Sequence, residues 1–355
     1  MPAKRSLSLA LALLLVAAIP ARATGFPAIN VIDTIRPGVD GSYALWNNGR
    51  LGDYLYFGAD DGVNGSELWR TNGTTTELVQ DINTGTSDSS PYYFTALGDY
   101  LYFNATDATH GQELWRTNGT TTELVQDINT GTGGADGSYP YYFTALGAYL
   151  YFNAYDATHG AELWRTNGTT TELVMDINTG TGGADSSYPY GFAAFEDALY
   201  FRAYDGTHGY ELWRTNGTTT ELVMDINTGT GGADSSYPHG FTALGDYLYF
   251  LANDGTNGNL WRVSAAGTIQ SASPAGTNVS FGCMCEHPIL TLNGRLFAAV
   301  TTDETGFEFA YLDEPTYGLP GTNRDGTAWS TTLVLIAAVT AAAGLTVRMR
   351  EAKRD

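Results

Sequence analysis

Apolar and polar positions alternate with a period of two through most of this chain, and the alternation restarts about every 48 residues. The stretch from Pro140 to Thr179 shows one period. YYFTALG (141–147) is a short apolar run closed by Gly147. AYLYFNA (148–154) is alternating and rich in β-formers. A turn-rich stretch runs from Asp156 to Gly160. AELWRTN (161–167) reads as a third strand, Asn167-Gly168 as a tight hairpin of the type I′ kind, and TTTELVMDI (169–177) as a fourth strand. No segment of the repeat carries a 3.6-residue apolar stripe. The pattern therefore predicts four antiparallel strands per period and a Gly-rich, acidic connector.

The segment ELWRTNGTTTELV begins at Glu67, Glu113, Glu162 and Glu211, with weaker copies at Asn259 and Glu308. A period of 46 to 49 residues, built only of strands, is the length of a β-propeller blade. The predicted fold is all-β, a propeller of six four-stranded blades over 24–313. Blade six lacks a fourth strand. The segment INVIDTIRPG (29–38) mirrors ELVQDINTG (77–85), with Asp33 where Asp81 stands, so the N-terminal strand is expected to close the last blade and remove its free edge.

The repeat resembles that of the ELWxxDGT-repeat proteins, a group of exported microbial proteins. Glu113-Leu114-Trp115, Asn118-Gly119-Thr120, Leu124-Val125, Asp127-Ile128 and their equivalents carry the resemblance, strongly in blades one to four and weakly in five and six. Asn replaces the usual Asp of the hairpin, and the part that follows is shorter. The resemblance implies an exported β-propeller-like protein and transfers no catalytic residue.

Both ends read as targeting segments. Lys4 and Arg5, the apolar run Leu7 to Ile19 and Ala21-Arg22-Ala23 form a secretory signal, 1–23. A stalk (314–330) leads to an apolar run (331–347) and a basic tail (348–355). With two flanking residues, 329–347 spans about 28 Å at roughly 1.5 Å per residue, enough for a single membrane helix. The expected location is the cell surface, with the N-terminal domain outside and the basic tail in the cytoplasm. An alternative is cell-wall anchoring: Leu319-Pro320-Gly321-Thr322-Asn323 resembles a sortase signal, which would be cut after Thr322.

Charge narrows the partners. The net charge is −21, and 24–330 contains all but two of the 38 acids and no lysine. Nucleic acid and anionic lipid are excluded as partners on this ground. An extracellular glycan or protein ligand fits better. The two cysteines, Cys283 and Cys285, are too close in sequence for easy disulfide geometry and lack the companions of a zinc site.

Strand order assigns the loops to two faces. The turns between strands one and two, and three and four, are tight. The loops between strands two and three, and the connectors between blades, are longer and vary. That second face gathers acid and tyrosine. The candidate ligand-binding residues are Asp88, Asp136, Asp185 and Asp234 with Tyr139, Tyr188 and Tyr237 in the connectors. Asp61, Asp107, Asp156, Asp205 and Asp254 in the other loops are candidate Ca²⁺ ligands, since carboxylates suit a hard cation. Against this, Asp also caps its own turn, and no loop has the spacing of a dedicated calcium loop. His110, His159 and His208 recur at one loop position, where Asn64 and Asn257 also stand, and read as turn residues. One Arg (Arg70, Arg116, Arg165, Arg214) and one Asp (Asp81, Asp127, Asp176, Asp225) per blade suggest a repeated structural ion pair.

No catalytic residue is expected. The Asp box of sialidases fails here on spacing, and only Arg36, Arg50, Arg202, Arg295 and Arg324 of residues 24–330 fall outside the repeat. The sequence reads as a non-catalytic binding or adhesion module, with a structural surface coat as the alternative and a glycan-processing enzyme behind it. The N-G-T strings at Asn72, Asn118, Asn167 and Asn216 are either glycosylation acceptors or turn chemistry.

Overall fold

The computed structural model describes residues 35–36, 42, 47–131, 136–179, 185–228, 234–255, 258–273, 289–292, 295–302 and 306–313. The leader, Cys283, Cys285, the stalk, the apolar run at 331–347 and the string around Thr322 lie outside them. Within them the chain is an all-β propeller. Five four-stranded antiparallel sheets occupy 48–80, 92–126, 141–175, 190–224 and 239–271, and a three-stranded sheet occupies 289–313. In every sheet the strands lie in sequence order, first strand innermost and last strand outermost. Of the segment 29–38 expected to supply the N-terminal closing strand, only residues 35–36 are described: Arg36 ion-pairs with Asp60 and packs on Gly62 of blade one, as Asn178 packs on Gly206 and Asn227 on Gly255.

Blade three shows why these residues make these strands. Tyr141–Leu146, Tyr149–Asp156, Gly160–Thr166 and Thr171–Met175 are its strands. The second strand is buried on both sides, so its alternation sorts residues between two neighbours rather than between core and water. Leu150, Phe152 and Ala154 point to blade two, and Tyr151 points to blade four. Five such clusters lie between consecutive blades, and the fully buried Tyr56, Tyr102, Tyr151, Tyr200 and Tyr249 recur through them. The core is thus a series of inter-blade layers. This is why single blades can repeat almost without change.

Two expectations about the repeat are corrected. The Asn-Gly hairpin is a four-residue loop, not a two-residue type I′ turn. Asn72 N–H donates to the Thr75 carbonyl, the Asn72 Oδ1 accepts from the amides of Thr74 and Thr75, and only Gly73 takes a positive φ, 87°. The same side-chain caps recur at Asn118, Asn167 and Asn216. The repeated ion pair is also different. Arg70, Arg116, Arg165 and Arg214 pair with Glu77, Glu123, Glu172 and Glu221 at 2.5–2.6 Å. Register decides this: Arg70 lies directly opposite Glu77, whereas a bulge at Leu68/Trp69 carries Asp81 past the ladder. Asp81, Asp127, Asp176 and Asp225 each have one carboxylate oxygen sealed from solvent and without a hydrogen-bond partner.

The arginines also tie blade to blade. Arg70 Nη1 donates to the Gly119 carbonyl of the next hairpin at 2.7 Å, Arg116 to Gly168 and Arg165 to Gly217 at 2.6 Å. Each of the three guanidiniums lies 4.2–4.4 Å from the centroid of a tyrosine ring (Tyr54, Tyr100, Tyr149).

A tyrosine mouth around an unpartnered arginine

The Glu that opens each ELWR copy builds this site indirectly. Glu67, Glu113, Glu162 and Glu211 are fully buried. In blade three, Glu162 Oε1 accepts from the Ser187 amide at 2.7 Å, and Oε2 accepts from the Ile177 amide at 3.0 Å and from the Ser187 hydroxyl. Glu67, Glu113 and Glu211 do the same with Ser89, Ser138 and Ser236. Each Glu therefore latches the connector to its own blade. Burial outweighs the hydrogen bonds and pushes Glu113, Glu162 and Glu211 up to about 7, with a further push from Asp127, Asp176 and Asp225.

The latched serine fixes the residue after it. Ser90, Tyr139, Tyr188 and Tyr237 all take φ of 47–49°, and a proline follows each. The left-handed region is unfavourable for a tyrosine and is held here by the pairing on both sides. The Tyr139 amide donates to the Gln112 carbonyl, Tyr188 to Ala161 and Tyr237 to Tyr210. The outcome is three tyrosine rings, each 50% exposed, set on the connector face.

The inner strands add more rings. They begin on this same face, and a bulge near their start puts Tyr93 and Tyr142 at φ of 59° and 62°. Tyr93 meets Tyr142 at 5.6 Å between centroids, and Tyr142 meets Tyr190 at 4.6 Å, edge to face. Tyr92 and Tyr141 pack on the same chain of rings. The inner strands of blades one to four enclose a cavity of about 350 Å³, lined by Asn47, Asn48, Tyr93, Tyr142, Tyr190 and the Phe and Thr residues beneath them. Tyr93, Tyr142 and Tyr190 are the tyrosines that line it.

One residue breaks the repeat here. Asn104 and Asn153 occupy the same register in blades two and three, opposite Leu114 and Leu163. Each donates its amide to the carbonyl of the connector proline, Pro140 or Pro189. In blade four the position is Arg202, opposite Leu212 and Tyr190. Its guanidinium carbon lies 4.5 Å from the ring centroid of Tyr190, 5.4 Å from Tyr210 and 6.0 Å from Tyr237. Tyr210 and Tyr237 stack on each other at 5.4 Å. Arg202 Nε is buried without a hydrogen-bond partner, and among the described residues no carboxylate ion-pairs with this side chain. Burial pulls the ionisation of Arg202 below the usual guanidinium range, although such a group stays charged at neutral pH. Burial likewise pulls His239 down, and the charge of Arg202 adds to that; its Nδ1 lies 2.8 Å from the Tyr237 carbonyl oxygen.

The acidic candidates are placed differently. Asp107 Oδ1 accepts from the amides of Thr109 and His110, and Oδ2 meets His110 Nδ1 at 2.8 Å. Asp156 with His159 and Asp205 with His208 repeat this arrangement, and Asp61 makes it with Val63 and Asn64. Asp254 Oδ2 accepts from Asn259 Nδ2. Asp61, Asp107, Asp156 and Asp205 thus cap their own turns, and His110, His159 and His208 complete three of the caps. The Asp partner raises the ionisation of His110, His159 and His208. Among the described residues no three His, Cys, Asp or Glu side chains form a metal-sized group. Of the connector acids, Asp88 accepts from the Ser66 amide, and Asp136, Asp185 and Asp234 are partly exposed. The structure brings Tyr237 into the Arg202 cluster and leaves the acidic residues in separate loops.

The chain matches no protein-family profile and no curated protein sequence. Similarity to solved structures is distant. A structure from a study of two prolyl endopeptidases is 12% identical over 78% of this chain and 42% of its own, with a TM-score of 0.45. A puromycin-hydrolysing peptidase of Mycobacterium tuberculosis is 10% identical over 78% and 43%, also at 0.45. Virginiamycin B lyase of Staphylococcus aureus is 15% identical over 76% and 84%, at 0.41. The chain spans less than half the length of the two peptidases. Similarity at this level attaches none of those activities to it.

Proposed function

We propose that this protein is a non-catalytic binding module of the cell surface whose ligand, an extracellular glycan, docks on the tyrosine mouth. The observation that carries this reading is the run of rings Tyr93, Tyr142 and Tyr190 lining an open cavity, continued across the Arg202 guanidinium to the stacked pair Tyr210 and Tyr237, all fixed on strands and latched connectors. Tyrosine offers an apolar face to the C–H side of a sugar and a hydroxyl to its polar edge, at low entropic cost. The rigidity of the latch means that little ordering is left for the ligand to induce. Repetition favours binding over catalysis, because the buried carboxylates recur blade by blade and each is spent on a connector.

The likeness to ELWxxDGT repeats, the N-terminal leader pattern and the apolar run at 331–347 support export and display by a C-terminal anchor. Because the loop aspartates already cap their own turns, the ligand is held without Ca²⁺. A glycan array probed with the purified protein, with and without chelator, tests the reading. Binding to a defined set of glycans, unchanged by chelator, is the expected result. An array with no binding under either condition overturns it and favours a structural coat.

A further inference from the structure

The four inner blades are near copies, so a difference between them is informative. Most differences lie in connector length or in the outer turns. Arg202 is different in kind, because it replaces a neutral amide that reaches a proline carbonyl with a charge that, among the described residues, has no carboxylate partner. The cost is plain in the geometry. Asn104 and Asn153 each satisfy a proline carbonyl and leave only a neutral amide oxygen buried without a partner, whereas Arg202 leaves Nε of a charged group in that state. Nothing in the fold of blade four requires this, since blade five carries Leu251 at the same register. A buried, unpaired cation is destabilising on its own. Among the described residues no carboxylate pairs with it, although the chain carries 38 acids. The compensation is partial: the faces of Tyr190, Tyr210 and Tyr237 surround the guanidinium and hold its plane. The side chain as a whole is partly exposed and lies against Tyr190, which lines the cavity.

We propose that Arg202 is the anion-recognising element of the mouth and that the ligand is a glycan carrying a hexuronic acid, whose carboxylate it receives. This rests on the glycan-binding reading above and specifies its substrate class. With Nε sealed among the rings, the two terminal nitrogens meet the two oxygens of a planar carboxylate end-on. The aromatic walls then receive the ring that bears the carboxylate. Tyr190 has a double role, flanking the guanidinium and lining the cavity, so the acidic sugar sits at the junction of the two. The charge that lacks a partner in the free protein gains one on binding. The discrimination comes from this asymmetry, since a neutral sugar leaves the cation as it was.

The repeat supplies its own control. Arg202→Asn recreates the residue of blades two and three, whose amide is placed to reach the Pro238 carbonyl, so the variant is expected to fold and to melt no lower than the native protein. Arg202→Leu, the blade-five residue, is the second variant. Titration calorimetry of the full chain would use matched oligosaccharides ending in glucuronic acid or glucose, and in galacturonic acid or galactose, with inorganic phosphate as a further probe. The native protein should bind the acidic member of a pair about tenfold to a hundredfold more tightly, as expected for a charge-assisted pair. Arg202→Asn and Arg202→Leu should bring that ratio to about one and leave the neutral affinity in place. A native protein that binds neutral and acidic members alike overturns the inference but leaves the glycan reading standing. So does a preference that survives both substitutions, or phosphate binding as tight as the uronate's. No binding to any sugar overturns both. Variants that melt several degrees lower with the preference intact would make Arg202 a structural residue.

Discussion

The buried glutamates show how far a residue's role can sit from its conspicuousness. Glu67, Glu113, Glu162 and Glu211 head the most repeated string of the chain, yet their partners are 15 to 25 residues downstream. Alternation assigned them a strand face and could not say that a connector serine would meet them there. Their ionisation gives a prediction with a definite sign. Glu113, Glu162 and Glu211 move from an ordinary 4.5 to about 7 on folding, so the folded state holds their protons more tightly. Stability is fully present below about 4.5 and is lost as pH rises to about 7. The His–Asp caps act in the same direction: His110, His159 and His208 are raised from 6.5, so their contribution is lost as pH rises through the folded value. The lowered Asp61, Asp107 and Asp205 oppose this only in acid near and below 3.8, and the lowered His239 opposes it as pH falls through 6.5, one group against the three glutamates and three histidines. The melting temperature should therefore rise as pH falls from 8 to 5. Glu162→Gln should lower it at each pH, because a second donor would face the Ile177 amide, and should flatten the dependence. A native protein that melts lower at pH 5 than at pH 8 contradicts the assignment. Arg202 was legible in sequence only as one arginine outside the repeat. The visible signal was the column Asn104, Asn153, Arg202, and only the structure shows that this column faces the mouth.

Among elements, strands were easier to read than turns. The four-strand period and inner-to-outer order follow from alternation and Gly spacing, and the structure has them. The hairpin was misread because the Asn side chain, not a pair of left-handed residues, closes it. The ion pair was misread because a bulge shifts register beyond Leu68. The hairpin glycines show what this outer turn does. Gly168 sits at φ 84°, and a Cβ there would lie 2.5 Å from the Tyr102 hydroxyl and 2.7 Å from Arg116 Nη1. Gly168→Ala should cost about 1–3 kcal/mol from backbone strain, with more from the displaced arginine. Chemical denaturation would measure it. Gly73→Ala, equally left-handed but with open space around it, should cost only the backbone part. Equal losses at both sites would show that the arginine tie between blades adds little.

At the scale of the whole molecule, repetition and asymmetry have separate jobs. The inter-blade layers, the arginine ties and the glutamate latches recur and set the architecture. The mouth differs from blade to blade: Tyr93 and Tyr142 give way to Gly191 and Gly240, Asn153 gives way to Arg202, and Ser90 gives way to Tyr139, Tyr188 and Tyr237. The sequence points to this face through the variation in connector length and composition. It puts the weight on the aspartates, of which the structure shows Asp61, Asp107, Asp156 and Asp205 capping their own turns, and less on the rings. The account stands or falls on where the ligand sits. The direct measurement is an affinity titration of an array-selected glycan against Tyr188→Ser and Tyr237→Ser, with Thr169→Ala in the opposite hairpin as control. Ser90 already occupies the tyrosine slot in an earlier connector, so both serine variants should fold. The mouth variants should weaken binding about tenfold or more while the hairpin variant leaves it unchanged. Unchanged affinity in both serine variants, or loss in the hairpin variant, would place the ligand elsewhere and contradict the account.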